Sequence, residues 1–273
     1  MPYLSPALNV MIAAARKAGR GLIRDFGELE NLQVSLKGPA DFVSTADQRT
    51  ERILIQELSK ARPGYGFLVE ESGVIEGPDK SHRFIIDPLD GTTNFLHGLP
   101  HFAISIALER ENQLVSAVVY NPVTDDMFSA EKSHGAYLNT RRLRVAARGS
   151  LKESLIATGM PFHGRAGHEQ FLAELPPIMA ATAGVRRFGS AALDLAWVAA
   201  GRFDGFWERG LSSWDLAAGM LLVREAGGAV TDLSGGAQVF ETGDVLAAND
   251  KLHPQLLKLL RAGGAVERRK ADG

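Results

Sequence analysis

Apolar residues Leu4, Leu8, Met11, Ile12 and Ala15 recur at intervals of three and four near the start of the chain, the spacing of one helical face. Arg16, Lys17 and Arg20 follow this apolar stretch, whereas a secretory signal carries its charges in front of it. A polar connection through Lys37-Gly38-Pro39 leads to a second predicted helix over residues 45–61. Thr45-Ala46-Asp47-Gln48 offers a capping box for it, Ile53, Leu54 and Leu58 its buried face, and Pro63-Gly64 its stop. The period then changes from helical to extended. Residues 66–70 read as a strand, and Phe84-Ile85-Ile86 is a short apolar run ending at Asp87, as a buried strand would. Residues 101–109 and 113–120 flank a tight polar turn and predict a hairpin, which 126–130 and 135–138 extend.

The second half alternates. Strands are expected at 154–158, 185–188, 204–207, 229–233 and 245–248, and helices at 191–200, 214–226 and 253–260. Such alternation suggests helices on a mixed sheet. The tail from Gly263 is charged and rich in small residues, so it is expected to fray. The expected organisation is an N-terminal α+β part over 1–150 and a C-terminal α/β part over 151–273, forming one compact unit.

Composition narrows the function. With 273 residues the chain can bury a sizeable core. A net charge of −2 gives no global basic field for nucleic acid. There is no cysteine, which excludes disulfides, thiolate metal sites and a cysteine nucleophile and fits a reducing cytoplasm. No stretch reaches the roughly 18 apolar residues of a membrane span.

The segment Asp87-Pro88-Leu89-Asp90-Gly91-Thr92-Thr93-Asn94-Phe95 carries the most chemistry. A buried strand delivers Asp87, and Pro88 and Gly91 predict a tight turn. That turn can aim Asp87, Asp90 and the Leu89 carbonyl at one point. All three are hard oxygen donors of the kind Mg²⁺ prefers. Thr92-Thr93-Asn94 would start a helix or turn whose free N–H groups can receive phosphate oxygens. Glu70-Glu71 closes an earlier strand, where alternation lets at most one of the two face a common point. Asp215 opens a helix through Trp214-Asp215-Leu216-Ala217-Ala218-Gly219 and, taken alone, is a cap. Asp47 likewise sits in a first helical turn, where an acid is favourable in its own right.

Together these segments resemble the inositol monophosphatase family, in its bacterial branch. The likeness rests on the run from Phe84 to Phe95, on Trp214 to Gly219 continuing to Glu225-Ala226-Gly227-Gly228, and on Glu70-Glu71-Ser72. It is carried further by Asp41-Phe42-Val43-Ser44-Thr45-Ala46-Asp47 and Gly189-Ser190-Ala191-Ala192. The resemblance implies a layered αβαβα sandwich and a homodimer. It implies Mg²⁺ held by Glu70, Asp87, the Leu89 carbonyl, Asp90 and Asp215, with Thr92 and Asp47 helping Glu70 to activate water. Phosphate would be held near Gly91, Thr92 and Thr93. The substrate polyol would meet Gly189, Ala191, Glu208, Asp90 and Asp215. Lys37 is near a position where relatives carry a lysine close to the metals. Lithium inhibition and a cytoplasmic location complete the expectation.

The implied reaction is hydrolysis of myo-inositol 1-phosphate. The same chemistry on fructose 1,6-bisphosphate, 3′-phosphoadenosine 5′-phosphate, histidinol phosphate or NADP is the alternative; the Gly189 to Asp215 half favours inositol phosphate. A different class of role, contact with the transcription machinery, would use the basic runs Arg141-Arg142-Leu143-Arg144 and Arg268-Arg269-Lys270.

Overall fold

The computed structural model describes the backbone of residues 5–29, 34–38 and 41–271, and within these the side chains of all but 35–38, 41–43 and 263–271. The elements of the first half are α1 (Pro6–Phe26), β1 (Val34–Gly38), β2 (Asp41–Ser44), α2 (Thr45–Ala61), β3 (Tyr65–Val69), β4 (Gly73–Ile75), β5 (Asp79–Asp90), α3 (Thr92–Leu96), β6 (Ala103–Arg110), β7 (Gln113–Asn121), β8 (Asp126–Glu131), β9 (Gly135–Leu138) and β10 (Arg141–Arg142). The second half contributes β11 (Leu155–Thr158), α4 (His168–Ala181), β12 (Gly184–Arg186), α5 (Ala191–Ala199), β13 (Gly205–Glu208), α6 (Ser213–Glu225), β14 (Ala229–Thr231), α7 (Val239–Thr242), β15 (Val245–Ala248) and α8 (His253–Ala271).

β1 and β2 form a small hairpin. The other strands form an eight-stranded sheet ordered β10-β9-β8-β7-β6-β5-β3-β4 and a five-stranded sheet ordered β12-β11-β13-β15-β14. Both sheets are mixed, since β3 runs parallel to β5 and β11 parallel to β12 and β13. α1 and α2 cover one face of the large sheet, α5 and α6 lie between the sheets, and α4 and α8 cover the far face of the small sheet. The result is the five-layer αβαβα sandwich.

The three helical layers follow from their side chains. α1 is amphipathic, burying Leu8, Met11, Ala14, Ala15, Ala18 and Leu22 while its charged face meets solvent. α5 and α6 are apolar almost all round, and every residue from Leu216 to Val223 is buried, as a helix between two sheets requires. They touch closely because Gly219 has no Cβ: one placed there would stand 2.5 Å from Leu195 Cβ. α4 and α8, with Leu252 just before α8, pack Phe171, Ile178, Leu252, Leu256 and Leu260 over Trp207 and Ile156 of the small sheet.

Several expectations shift. The cap of α2 is Ser44, one residue before the expected Thr45. The N–H and hydroxyl of Ser44 both donate to Asp47 Oδ2, at 2.8 and 2.6 Å. β5 does not end at Asp87 but continues to Asp90. The backbone of α8 stays helical to Ala271, through the tail expected to fray. α4 was not anticipated, because Pro176 and Pro177 lie inside it and proline normally breaks a helix. Among the described residues no helix is long and apolar enough to cross a membrane.

Candidate active site

The first acids arrive on neighbouring strands. β3 and β5 are in parallel register, Val69 beside Ile86, so the residue after β3, Glu70, comes beside Asp87. The Glu70 N–H donates to the Ile86 carbonyl at 3.2 Å, and the Glu70 carboxyl hydrogen-bonds with that of Asp87. Asp87 and Asp90 are three residues apart, and on a regular strand such residues face opposite sides. Here Asp87 pairs with Ser105 and Asp90 with Ala103, so β5 carries one extra residue against β6. That bulge turns Asp90 to the same side as Asp87, and it lies where Pro88 has no N–H to give to the ladder.

Asp215 comes from the far side, in the first turn of α6. Its Oδ2 accepts the Ser212 N–H at 2.7 Å. Carboxylate oxygens of Asp87, Asp90 and Asp215 lie within 4.8 Å of one another. Each acid uses one oxygen on a protein donor. Asp87 Oδ1 accepts the Leu89 N–H at 2.8 Å, and Asp90 Oδ2 accepts the Ser190 hydroxyl at 2.5 Å and the Ala192 N–H at 2.8 Å. These bonds hold the three carboxylates in place, and each still offers an oxygen to a common point.

Thr92 links this cluster to α2. Its hydroxyl lies 3.1 Å from Asp47 Oδ1 and 3.0 Å from the Leu89 carbonyl, either of which can take its hydrogen. Asp47 is fully buried, and Ser44 holds its other oxygen. Gly91, in the left-handed region at φ 91°, caps α3; a Cβ there would stand 3.0 Å from the His101 carbonyl. Asn94 Nδ2 donates to the carbonyls of His101 and Phe188, both at 2.8 Å, fastening α3 to the loop before α5.

These pieces line a cleft of about 250 Å³. Its lining includes Gly91, Thr92 and Thr93, the acids Asp90, Asp215 and Glu208, the loop residues Gly189 and Ala191, and Arg165 and Arg187. Glu70 and Asp87 adjoin this lining through the acid cluster, and Asp47 and the Leu89 carbonyl adjoin it through Thr92. The structure thus gathers the twelve residues singled out in the sequence around one cleft. The Lys37 side chain and those of Arg268, Arg269 and Lys270 lie outside the described residues. Arg141, Arg142 and Arg144 are exposed.

Packing acids out of water favours their neutral forms. Burial, reinforced by Glu70, Asp90 and Asp215, holds the Asp87 carboxyl well above the usual carboxylate range. Burial raises Asp90 to about 6 against the opposing bonds from Ser190 and Ala192. It raises Asp215 to about 7, with Asp90 adding to the effect. Glu208 reaches about 8 through burial and the nearby Asp215 and Asp90, with Arg187 and Arg165 pulling the other way. Asp47 is raised by burial. A cation among these acids would relieve their repulsion. The gathered donors are carboxylate oxygens, which are hard, and the chain has no cysteine to offer a thiolate, so the set fits Mg²⁺.

Four contributors were not legible beforehand. Ser190 entered only as part of the segment Gly189-Ser190-Ala191-Ala192, with no role of its own, yet its hydroxyl holds Asp90. Arg165 and Arg187 lie in irregular segments with no local signal. Gly159 gives Glu208 its room, since a Cβ there would stand 1.9 Å from the Glu208 carboxyl carbon.

A five-layer sandwich presenting clustered acids beside a short helix start defines a phosphatase-like hydrolase architecture. Residues 3–265 match the model of the inositol monophosphatase family. An inositol-1-monophosphatase of Mesorhizobium japonicum is 60% identical over 257 residues, covering 94% of this chain and 97% of the relative. A Nus factor SuhB of Pseudomonas aeruginosa is 44% identical over 262 residues, covering 94% and 97%. The crystal structure of extragenic suppressor protein suhB from Bartonella henselae superposes with a TM-score of 0.92 at 58% identity, covering 94% of this chain and 98% of that one. The chain belongs to the inositol monophosphatase family.

Proposed function

We propose that this chain is a Mg²⁺-dependent phosphatase that hydrolyses myo-inositol 1-phosphate to inositol and phosphate. The observation that carries the reading is the meeting of Asp87, Asp90 and Asp215 within 4.8 Å, beside a cleft that Asp90 and Asp215 line together with Gly91, Thr92 and Thr93. The likeness to the Mesorhizobium inositol-1-monophosphatase supports the substrate.

Glu70, Asp87, the Leu89 carbonyl, Asp90 and Asp215 would hold the metal. When bound, Mg²⁺ would supply a more acidic water and charge stabilisation at the leaving oxygen. Backbone N–H groups at Gly91, Thr92 and Thr93 receive the phosphate oxygens. With its own hydrogen directed to Asp47 Oδ1, the Thr92 hydroxyl oxygen presents lone pairs that orient an attacking water. Glu70, beside Asp87, is the acid placed to take that water's proton. Asp90, Glu208, Asp215 and the backbone at Gly189 and Ala191 hold the polyol hydroxyls, positioning being most of what phosphoryl transfer asks of a protein. Residues 1–150 and 151–273 act as one catalytic unit. The reading brings with it lithium inhibition, a homodimer and a cytoplasmic location.

The test is phosphate release from a panel of small phosphate esters with Mg²⁺, with and without Li⁺. Turnover of inositol 1-phosphate that Li⁺ suppresses supports the reading, and no turnover of that ester overturns it. A second role, contact with the transcription machinery, is favoured by the Nus factor relative and by the exposed Arg141, Arg142 and Arg144. Asp90→Asn separates the two: if a folded, inactive variant fully complements a deletion strain, hydrolysis is not what the cell requires.

A further inference from the structure

Glu51 lies one helical turn beyond Asp47 on α2, so the two side chains share a face. It is 3% exposed, an unusual state for a glutamate with no arginine or lysine in the contacts described for it. Both of its oxygens are used. Oε2 accepts the Glu71 N–H at 3.0 Å, and Oε1 accepts the Ser72 hydroxyl in a short bond. Both donors follow Glu70 directly. On the other side, the Glu70 N–H is fixed by the Ile86 carbonyl. The turn that presents Glu70 is therefore tied to β5 before its side chain and to α2 after it.

The same helix ties the other half of the water-orienting pair, since Asp47 Oδ1 meets the Thr92 hydroxyl. A helical turn is a rigid spacer of about 5–6 Å. Thr92 and the Glu70 turn are thus referenced to one stiff element, although they lie on different segments of the chain.

We propose that Glu51 is a positioning residue. With Asp47 it makes α2 a brace that holds Glu70 in register with Thr92 and Asp87, so that the acid is in place before metal and substrate arrive. The proposal rests on Glu70 belonging to the active site. A purely structural pair of hydrogen bonds would serve stability alone; a brace serves the placement of one carboxylate, where a displacement of about 1 Å can cost on the order of a hundredfold in rate.

The experiment compares Glu51→Ala, Glu51→Gln, Ser72→Ala and Glu70→Gln in the full chain. It reads kcat and KM for inositol 1-phosphate and, separately, Mg²⁺ affinity of the resting protein by calorimetry, with circular dichroism to establish folding. Glu51→Ala is expected to lower kcat by about 10- to 100-fold and to weaken Mg²⁺ binding in the same range. KM should stay within about twofold, because the substrate contacts lie elsewhere. Glu51→Gln should recover most of the loss, since an amide can accept the Glu71 N–H and donate to Ser72 Oγ. Ser72→Ala removes one of the two bonds at an exposed residue and should fall between. If Glu51→Ala does not fold, Ser72→Ala decides. Unchanged kcat and Mg²⁺ affinity in a folded Glu51→Ala, or in Ser72→Ala when the former is lost, overturns the brace while an inactive Glu70→Gln leaves the site intact. A fully active Glu70→Gln overturns the assignment of Glu70 itself.

Discussion

Withholding Mg²⁺ and changing pH should expose the acid cluster directly. Asp215 moves from 3.8 to about 7 and Asp90 from 3.8 to about 6. Taken singly, these displacements correspond to preferences of about 4 and about 3 kcal/mol for the neutral forms. The three aspartates titrate as one set, so the total for the cluster is smaller than the separate values suggest. In each case the folded value lies above the unfolded one. The metal-free native state therefore holds more protons than the unfolded chain between about pH 4 and pH 8, and its stability falls as pH rises through that window. Mg²⁺ binds the charged forms and must displace those protons. Between pH 6 and pH 8, Asp215 and Asp90 together lose about one proton in the metal-free protein, so metal binding at pH 8 should release about one proton fewer than at pH 6.

Isothermal titration of Mg²⁺ in two buffers of different ionisation enthalpy measures that number at each pH. Thermal unfolding with and without metal gives the companion quantity. The metal-free midpoint should drop from pH 5 to pH 8, and the rise produced by saturating Mg²⁺ should grow over the same range. Equal proton release at both pH values would refute the reasoning, because buried acids gathered within 4.8 Å of one another cannot all be ionised without a cation. A metal-free protein that becomes more stable as pH rises from 5 to 8 would refute it too.

Three further outcomes follow from particular contacts. Ser190→Ala removes the hydroxyl that donates to Asp90 Oδ2 and caps α5, leaving Asp90 to backbone N–H groups such as that of Ala192; kcat/KM should fall by about 10- to 100-fold, with a stability loss of about 1 kcal/mol from the lost cap, measured by phosphate release and calorimetry. Gly159→Ala places a methyl 1.9 Å from the Glu208 carboxyl, which must swing away; KM should rise by about tenfold or more, with a stability loss of about 1–3 kcal/mol in denaturant titration. Trp207→Ala empties the centre of the small-sheet core, where Trp207 is 1% exposed and stacks near Phe171; urea unfolding should show a loss of about 3–5 kcal/mol.

The amino-acid pattern revealed the elements best where one periodicity dominated. The β6–β7 hairpin and β15 stand where spacing placed them, within about two residues at their ends, and α1 carries the helical face that spacing marked. It failed at α4, where Pro176 and Pro177 erased the helical signal although α8 packs along the helix and buries Phe171 and Ile178. The tail of α8 misled in the opposite way: glycine and charge argued for fraying, but the helix continues.

The candidate site divides along the same line. Residue type and order in Asp87-Pro88-Leu89-Asp90 pointed to hard oxygen donors, but not to how two acids at an odd spacing come to face one way. The answer is a bulge, a property of β5 paired with β6 and not of β5 alone. The capping box was misplaced by one residue because Ser44 and Thr45 are both good caps in isolation. The structure resolves it in favour of Ser44. That register puts Asp47 at the third helical position, with Oδ2 on the Ser44 N–H and hydroxyl and Oδ1 on a threonine 45 residues away. Asp215 repeats the arrangement, its Oδ2 accepting the Ser212 N–H. For both acids the cap and the site are the same feature seen from two sides. A cap bond consumes one oxygen and fixes the carboxylate's angle, and the other oxygen is thereby aimed. Local sequence could identify the cap; only the packing of α2 and α6 against β5 shows where the second oxygen points.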